Sequence, residues 1–126
     1  MTAVDSTAAA LDTSSLLGDW RNTNANGTIM QIVVEDRRSR LSGQAGLPVL
    51  HVSCEWGEVE APVFAFEFDG KQAGAFYALY DRGGEELRVQ ANVKLGVLVV
   101  VTLFRFRDGS GRSNYFNREF FYRISS

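Results

Sequence analysis

Two side chains of this sequence are best suited to moving a proton, His51 and Glu67. His51 is of the residue type most used for proton transfer and fits a general acid or base at the mouth of a barrel, or else a surface or structural role. Glu67 stands between Phe66 and Phe68, and strand alternation sends it to the opposite face. If that face lines an interior, desolvation raises its pKa and makes it a proton carrier; if the phenylalanines fill the interior, Glu67 is an ordinary outer charge. Cys54 follows His51 by three residues, so on a strand the two point apart and do not form an activated pair. With no cation beside it, Cys54 reads as a small buried residue. Arg105, Arg107, Arg112, Arg118 and Arg123 crowd the last hairpin, where guanidinium groups either clamp a carboxylate or pair with Asp108 and Glu119. Gly109-Ser110-Gly111 has the look of a nucleophile turn but lacks its strand-turn-helix setting, and reads as a hairpin loop.

The segments that must position these residues are short, rich in Val, Ile, Phe, Tyr and Thr, and punctuated by Gly, Asn and Asp. Strands are predicted over 18–22, 28–35, 40–45, 50–56, 58–68, 72–80, 86–95, 97–107 and 113–124, with Asn26-Gly27, Asp69-Gly70, Gly83-Gly84 and Gly96 at turns. The segment 86–95 alternates cleanly, with Leu87, Val89, Ala91, Val93 and Leu95 on one face and Arg88, Gln90, Asn92 and Lys94 on the other, so it is half buried and its polar face meets solvent or, less readily, an interior. In 58–68 the face carrying Phe64, Phe66 and Phe68 is expected to be the buried one. The absence of a crossover helix excludes parallel topology. The expected fold is all-β, an antiparallel up-and-down barrel of about eight strands, since closure removes exposed edges. Residues 97–106 and 116–122 are apolar on both faces, which predicts a homodimer or larger assembly.

A chain of 126 residues with 45% hydrophobic and 22% charged residues fits one domain, here 16–126 behind a loose tail, 1–15. A net charge of −2 without like-charge blocks lacks the basic field that nucleic acid requires. One cysteine and one histidine make neither an internal disulfide nor a structural zinc site, so no metal is expected, and no nucleotide or other cofactor motif is present. The opening residues carry no Lys or Arg and no long apolar core, and the apolar run 95–104 is about half of a spanning helix. A cytoplasmic location without membrane contact is the expectation.

Leu17-Gly18-Asp19-Trp20-Arg21-Asn22, followed by Thr28-Ile29-Met30 and Leu41-Ser42-Gly43, resembles the opening of the avidin and lipocalin barrels. The resemblance implies that Trp20 plugs one barrel end and that Asn22 matches the asparagine with which avidins hold the ureido group of biotin. Asn26 and Ala45 stand where avidins have a serine and a tyrosine, and Trp56 is the only other tryptophan. A longer resemblance is to an uncharacterised family of short bacterial domains. It is carried by Gly18-x-Trp20-x-Asn22, by Cys54-Glu55-Trp56-Gly57-Glu58-Val59, and by 106–116 with Arg118-Glu119 and Phe120. That family often has a second cysteine where this chain has Val49, and it implies no known activity.

Nine phenylalanines and four tyrosines are a large aromatic supply, useful for packing or for holding an apolar ligand. The leading expectation is a small-molecule-binding barrel for an apolar or aromatic ligand. Trp20 and Trp56 plug or wall its cavity, Tyr77 and Tyr115 line it, and Asn22 or Arg105 fixes the polar end. A second expectation is a cofactor-free cyclase or isomerase acting on a polyketide- or terpenoid-like substrate, with Glu67, His51 or a tyrosine moving a proton. The third is a protein-interaction module whose barrel is filled by its own side chains.

Overall fold

Period-2 alternation of apolar side chains over nearly the whole chain calls for a sheet with one dry face, and closing that sheet on itself satisfies every edge. In the computed structural model, which describes residues 11–37 and 49–125, this is the outcome. Eight strands follow in order: β1 (Gly18–Asn22), β2 (Gln31–Asp36), β3 (Val49–Cys54), β4 (Gly57–Ala65), β5 (Ala73–Arg82), β6 (Glu85–Lys94), β7 (Val97–Phe106) and β8 (Tyr115–Ser125). Each pairs antiparallel with the next, and β8 returns to β1 to complete the barrel. Among the described residues no helix is long and apolar enough to cross a membrane.

The lumen takes Trp20, Ile32, Val34, Leu50, Val52, Phe76, Leu87, Val89, Leu98, Val100 and Phe121, all buried. Strand alternation then sends their neighbours outward, and the outer surface divides into two unlike halves. On β2–β4 it is charged: Arg37 bridges Glu35 at 2.6 Å and Glu58 at 2.7 Å, and His51 lies between Glu35 and Glu60 in the ladder. On β7 and β8 it is apolar, with half-buried Val97, Val99, Val101 and Leu103 beside exposed Phe116, Phe120, Tyr122 and Ile124.

Four departures from the sequence reading have physical causes or fall outside view. The predicted strand 40–45 lies outside the described residues. The second strand starts at Gln31 rather than Thr28, because side chains take the backbone groups ahead of it: Asn22 Nδ2 donates to the Ile29 carbonyl at 2.9 Å and the Met30 N–H donates to Glu55 at 2.8 Å. The phenylalanine face of β4 is the outer one, with Phe64 and Phe66 each 52% and Phe68 94% exposed. Ala61 and Val63 are the inward pair, Val63 opposite Phe76, and the bulky lumen residues of the other strands leave room there only for small side chains. Finally, Asp12 to Ser15, expected in the tail, are tied to the barrel end. Asp12 bridges to Gln72, Thr13 is buried and donates to Asp36 at 2.7 Å, and Ser15 Oγ donates to the Ala73 carbonyl at 2.9 Å.

The β6–β7 hairpin turns on Leu95 and Gly96, with φ of 54° and 79°. Two successive positive φ values match a type I′ turn, which suits Asn-Gly; a leucine there is strained, and Leu95, expected on the buried face of the strand, is instead 93% exposed because the strand ends at Lys94. Leu95→Asn is expected to stabilise the fold by about 1 kcal/mol, raising Tm by roughly 4 °C. A calorimetric scan checks this, and an unchanged Tm would mean the turn relaxes without penalty.

Candidate functional site

Among the described lumen residues Trp20, Leu50, Ala78, Leu87 and Leu98 are wholly buried. The two barrel ends are built differently. At the end where β1 begins, Trp20 donates from Nε1 to the Leu16 carbonyl at 3.0 Å, and the Arg123 guanidinium lies 4.5 Å over its ring while donating to the Ser15 carbonyl at 2.6 Å. These contacts close that end.

At the opposite end, β1, its following loop and β8 meet in a polar latch. Asn22 Nδ2 donates to Glu119 Oε1 at 2.8 Å as well as to Ile29, its Oδ1 accepts from the Asn24 N–H at 2.8 Å, and Asn24 Nδ2 donates to Glu119 Oε2 at 2.8 Å. Gly27 packs so closely on this pair that a Cβ there would collide with the Asn22 amide. Asn22, expected to hold a ligand's polar end, therefore has its amide hydrogens and its oxygen engaged within the protein. Tyr115 stacks on Phe104 at 4.3 Å between ring centroids, and the Arg82 guanidinium lies 4.7 Å over Trp56 in the β3–β4 turn. The buried Tyr80 hydroxyl donates to the Val52 carbonyl at 2.9 Å, and burial pushes its pKa up. Burial likewise pushes the Cys54 thiol up, against a smaller opposing effect of the Trp56 N–H, so Cys54 is a poor nucleophile.

Neither expected proton carrier faces the interior. Glu67 is exposed in the β4–β5 turn, where its carbonyl accepts from the Gly70 N–H at 2.8 Å, because the ladder ends at Ala65 before alternation can place it. His51 sits midway along β3 on the outer face rather than at a mouth, with Nε2 3.5 Å from Glu60. The arginines of the last hairpin mostly neutralise neighbours. Arg105 and Arg107 stand 3.7 and 3.5 Å from Glu86, whose carboxyl is held low chiefly by its bond to Arg88 at 2.7 Å. Arg107 pairs with Asp81, and Arg112 with Glu85 and Asp108. Arg118 makes no hydrogen bond or ion pair among the described residues.

Asp108 is held at about 2, below its ordinary 3.8, first by the Ser110 hydroxyl and backbone N–H and then by Arg112. A lowered carboxylate contributes order that is complete above its ordinary pKa and is lost as pH falls through the folded value. The β7–β8 loop is thus expected to stay ordered at pH 4 and to loosen toward pH 2. Carboxyl carbon shifts of Asp108 across that range test this, and titration near 3.8 would remove the proposed hold.

An open site lies on the outer wall. A groove of about 460 Å³ crosses β4 to β7, lined by Phe64, Ala75, Tyr77, Gln90, Asn92 and Val101 with the backbone of Phe76 and Ala91 beneath. Its floor exists because Ala75 is small, while Phe64 and Tyr77 stand up around it. Of the expected ligand residues only Tyr77 lines it. Phe64 was expected to be buried, and Gln90 and Asn92 read as a solvent face; the signal for a groove was the small Ala75 set between larger outward neighbours. A smaller hollow of about 220 Å³ lies by Gln31, Val33, Ser53, Cys54 and Glu55.

These features define a closed, eight-stranded up-and-down barrel with an apolar lumen and a lateral aromatic groove. A scan of protein-family models and searches of curated proteins and of solved structures match nothing to this chain.

Proposed function

We propose that this barrel binds a small apolar or aromatic molecule in the lateral groove of β4–β7 rather than in its lumen. The observation that carries the reading is the groove itself: its roughly 460 Å³ lies within the size range of small-molecule sites. Aromatic faces from Phe64 and Tyr77 supply apolar contact, and the amides of Gln90 and Asn92 supply donors and acceptors for one polar end. Tyr77 is the one titratable side chain in the lining, which favours binding over acid–base turnover. The reading includes an aqueous, cytoplasmic setting, supported by charged Glu35, Glu58 and Glu60 on the outer wall and an apolar lumen, the reverse of a lipid-facing barrel.

Titration with the fluorophore anilinonaphthalene sulfonate tests it. The wild type is expected to show saturable enhancement, and Ala75→Trp, which fills the groove from its floor, to weaken uptake at least tenfold. Phe68→Ser, at an exposed turn residue outside the groove lining, should leave binding unchanged. Equal uptake by wild type and Ala75→Trp would place the dye elsewhere and overturn the proposal.

A further inference from the structure

The ladder registers place the groove on two adjacent rungs of outward side chains. One runs Tyr77, Gln90, Val101, Arg118, and the other Phe64, Ala75, Asn92, Val99, Phe120. Arg118 is therefore the residue that follows Val101, a lining position, on the same rung. On its other side β1 has already ended at Asn22, and the loop 23–30 contains no acid. The strand neighbour beside Arg118 is thus a wall of the groove.

The charges around these rungs are one-sided. Neither rung carries an acid, and among the described residues Arg118 makes no ion pair, hydrogen bond or ring contact. Arg88, Arg105, Arg107 and Arg112, by contrast, each have a carboxylate partner. Lys94, two residues along β6 from Asn92, is likewise without an ion pair among the described residues. The acids on the neighbouring elements are engaged or lie past the ladder. Glu86, Asp81 and Glu85 pair with the other arginines, Glu60 stands 3.5 Å from His51, and Glu67 and Asp69 occupy the β4–β5 turn beyond Ala65.

An unpaired guanidinium beside aromatic faces and two amides suits a planar monoanion, because its fork takes both oxygens of a carboxylate. A phosphate monoester brings up to two charges against the single cation of these rungs, a poorer match. An extended arginine is longer than the ~4.8 Å between strands, so Arg118 lying across Val101 carries its fork over β7, toward the amides of Gln90 and Asn92 on β6. The wall is convex, and side chains that stand straight out of it diverge; the short Val99 and Val101 leave room for Arg118 to lie down along it. From β7 to the Ala75 floor on β5 is two strand spacings, roughly 10 Å, room for a two-ring aromatic acid.

We infer that the groove selects aromatic carboxylates, with Arg118 holding the carboxylate over Val101 and the rings resting on Ala75 between Phe64 and Tyr77. The inference rests on the groove reading above and adds the charge of the ligand.

The probes 2-naphthoate and 2-naphthamide share one shape and differ in the charge of the head group, and calorimetric titration of the full chain at low salt reads both. The wild type is expected to prefer naphthoate about fivefold, the scale of an exposed ion pair, and the preference should shrink as salt is raised. Arg118→Gln should remove the preference while leaving the naphthamide affinity unchanged, and Arg118→Glu should reverse it. Arg118 is exposed, so the strand signature in circular dichroism should persist in both variants. Ala75→Trp should abolish binding of both probes. Equal affinity for the two probes in the wild type, or a preference for naphthoate that survives Arg118→Gln, overturns the inference; if Ala75→Trp still abolishes both, the groove reading stands without it. A wild type that takes up neither probe, or an Ala75→Trp variant that binds both as the wild type does, sinks the groove reading and this inference together.

Discussion

Trp20→Ala is expected to remove about 4 kcal/mol of folding stability, a large share of the 5–15 kcal/mol that holds a domain of this size. The indole is fully buried, so its loss opens a cavity that the closed ladder of β1, β2 and β8 is too constrained to collapse into. It also strands two polar groups, the Leu16 carbonyl that accepts from Nε1 and the Arg123 guanidinium stacked on the ring. Trp20→Phe separates the contributions: it keeps most of the packing and leaves the Leu16 carbonyl unpaired, for a loss of about 1–2 kcal/mol. Guanidinium unfolding of the three proteins gives the comparison. A loss below about 1 kcal/mol for the alanine variant would mean that Leu16 and Phe121 seal the end without the indole.

How far the fold could be read ahead of the structure follows from what alternation encodes. In β6 every second residue is polar, so the pattern specifies both the strand and its inner face, and Leu87 to Val93 lie where that pattern puts them. In β4 both candidate faces are apolar, with Val63 and Ala65 against Phe64 and Phe66, and size then misleads. The larger residues look like core, but the volume available inside is set by Trp20 and Phe76 on other strands, which the local sequence does not contain. The same blindness hid the groove. Its lining comes from β4, β5, β6 and β7, and whether Gln90 and Asn92 meet water or a ligand depends on Ala75 and Phe64 across the ladder. Glu67 is exposed, as its outer-charge reading has it, but for a shorter-range reason: the strand ends two residues before it, so alternation no longer decides where it points.

The asymmetry of the outer wall ties these points to function. A strand that needed only one dry face would carry polar residues on the other, as β6 does. On β7 the outer positions are Val97, Val99, Val101 and Leu103, half-buried with nothing among the described residues to cover them, and then Arg105. Leaving that stripe next to Phe116, Phe120 and Tyr122 exposes a contiguous apolar band of the kind monomers avoid. The groove opens along the same band, where Val101 of β7 is part of its lining.

Asn22→Ala is expected to cost about 3 kcal/mol, although it creates only a small void. Three side chain and backbone partners converge on the Asn22 amide, and the deletion leaves the Ile29 carbonyl, the Asn24 N–H and one Glu119 oxygen unpaired together. Bonds to a carboxylate are worth about 1.5–3 kcal/mol and neutral ones about 1 kcal/mol, so the latch outweighs its size. Because it joins β1 and its loop to β8, it fastens the seam at which the barrel closes. A cycle combining Asn22→Ala with Glu119→Gln should show coupling of about 1–2 kcal/mol, since each change removes the same charged bond. Gly27→Ala supplies an independent test, because its added methyl displaces the Asn22 amide without deleting it and should lower stability through that bond alone. In the Asn22→Ala background Gly27→Ala is then expected to lose most of its effect. Additive losses would show instead that Gly27 acts through its own backbone, and the latch would reduce to three separate bonds.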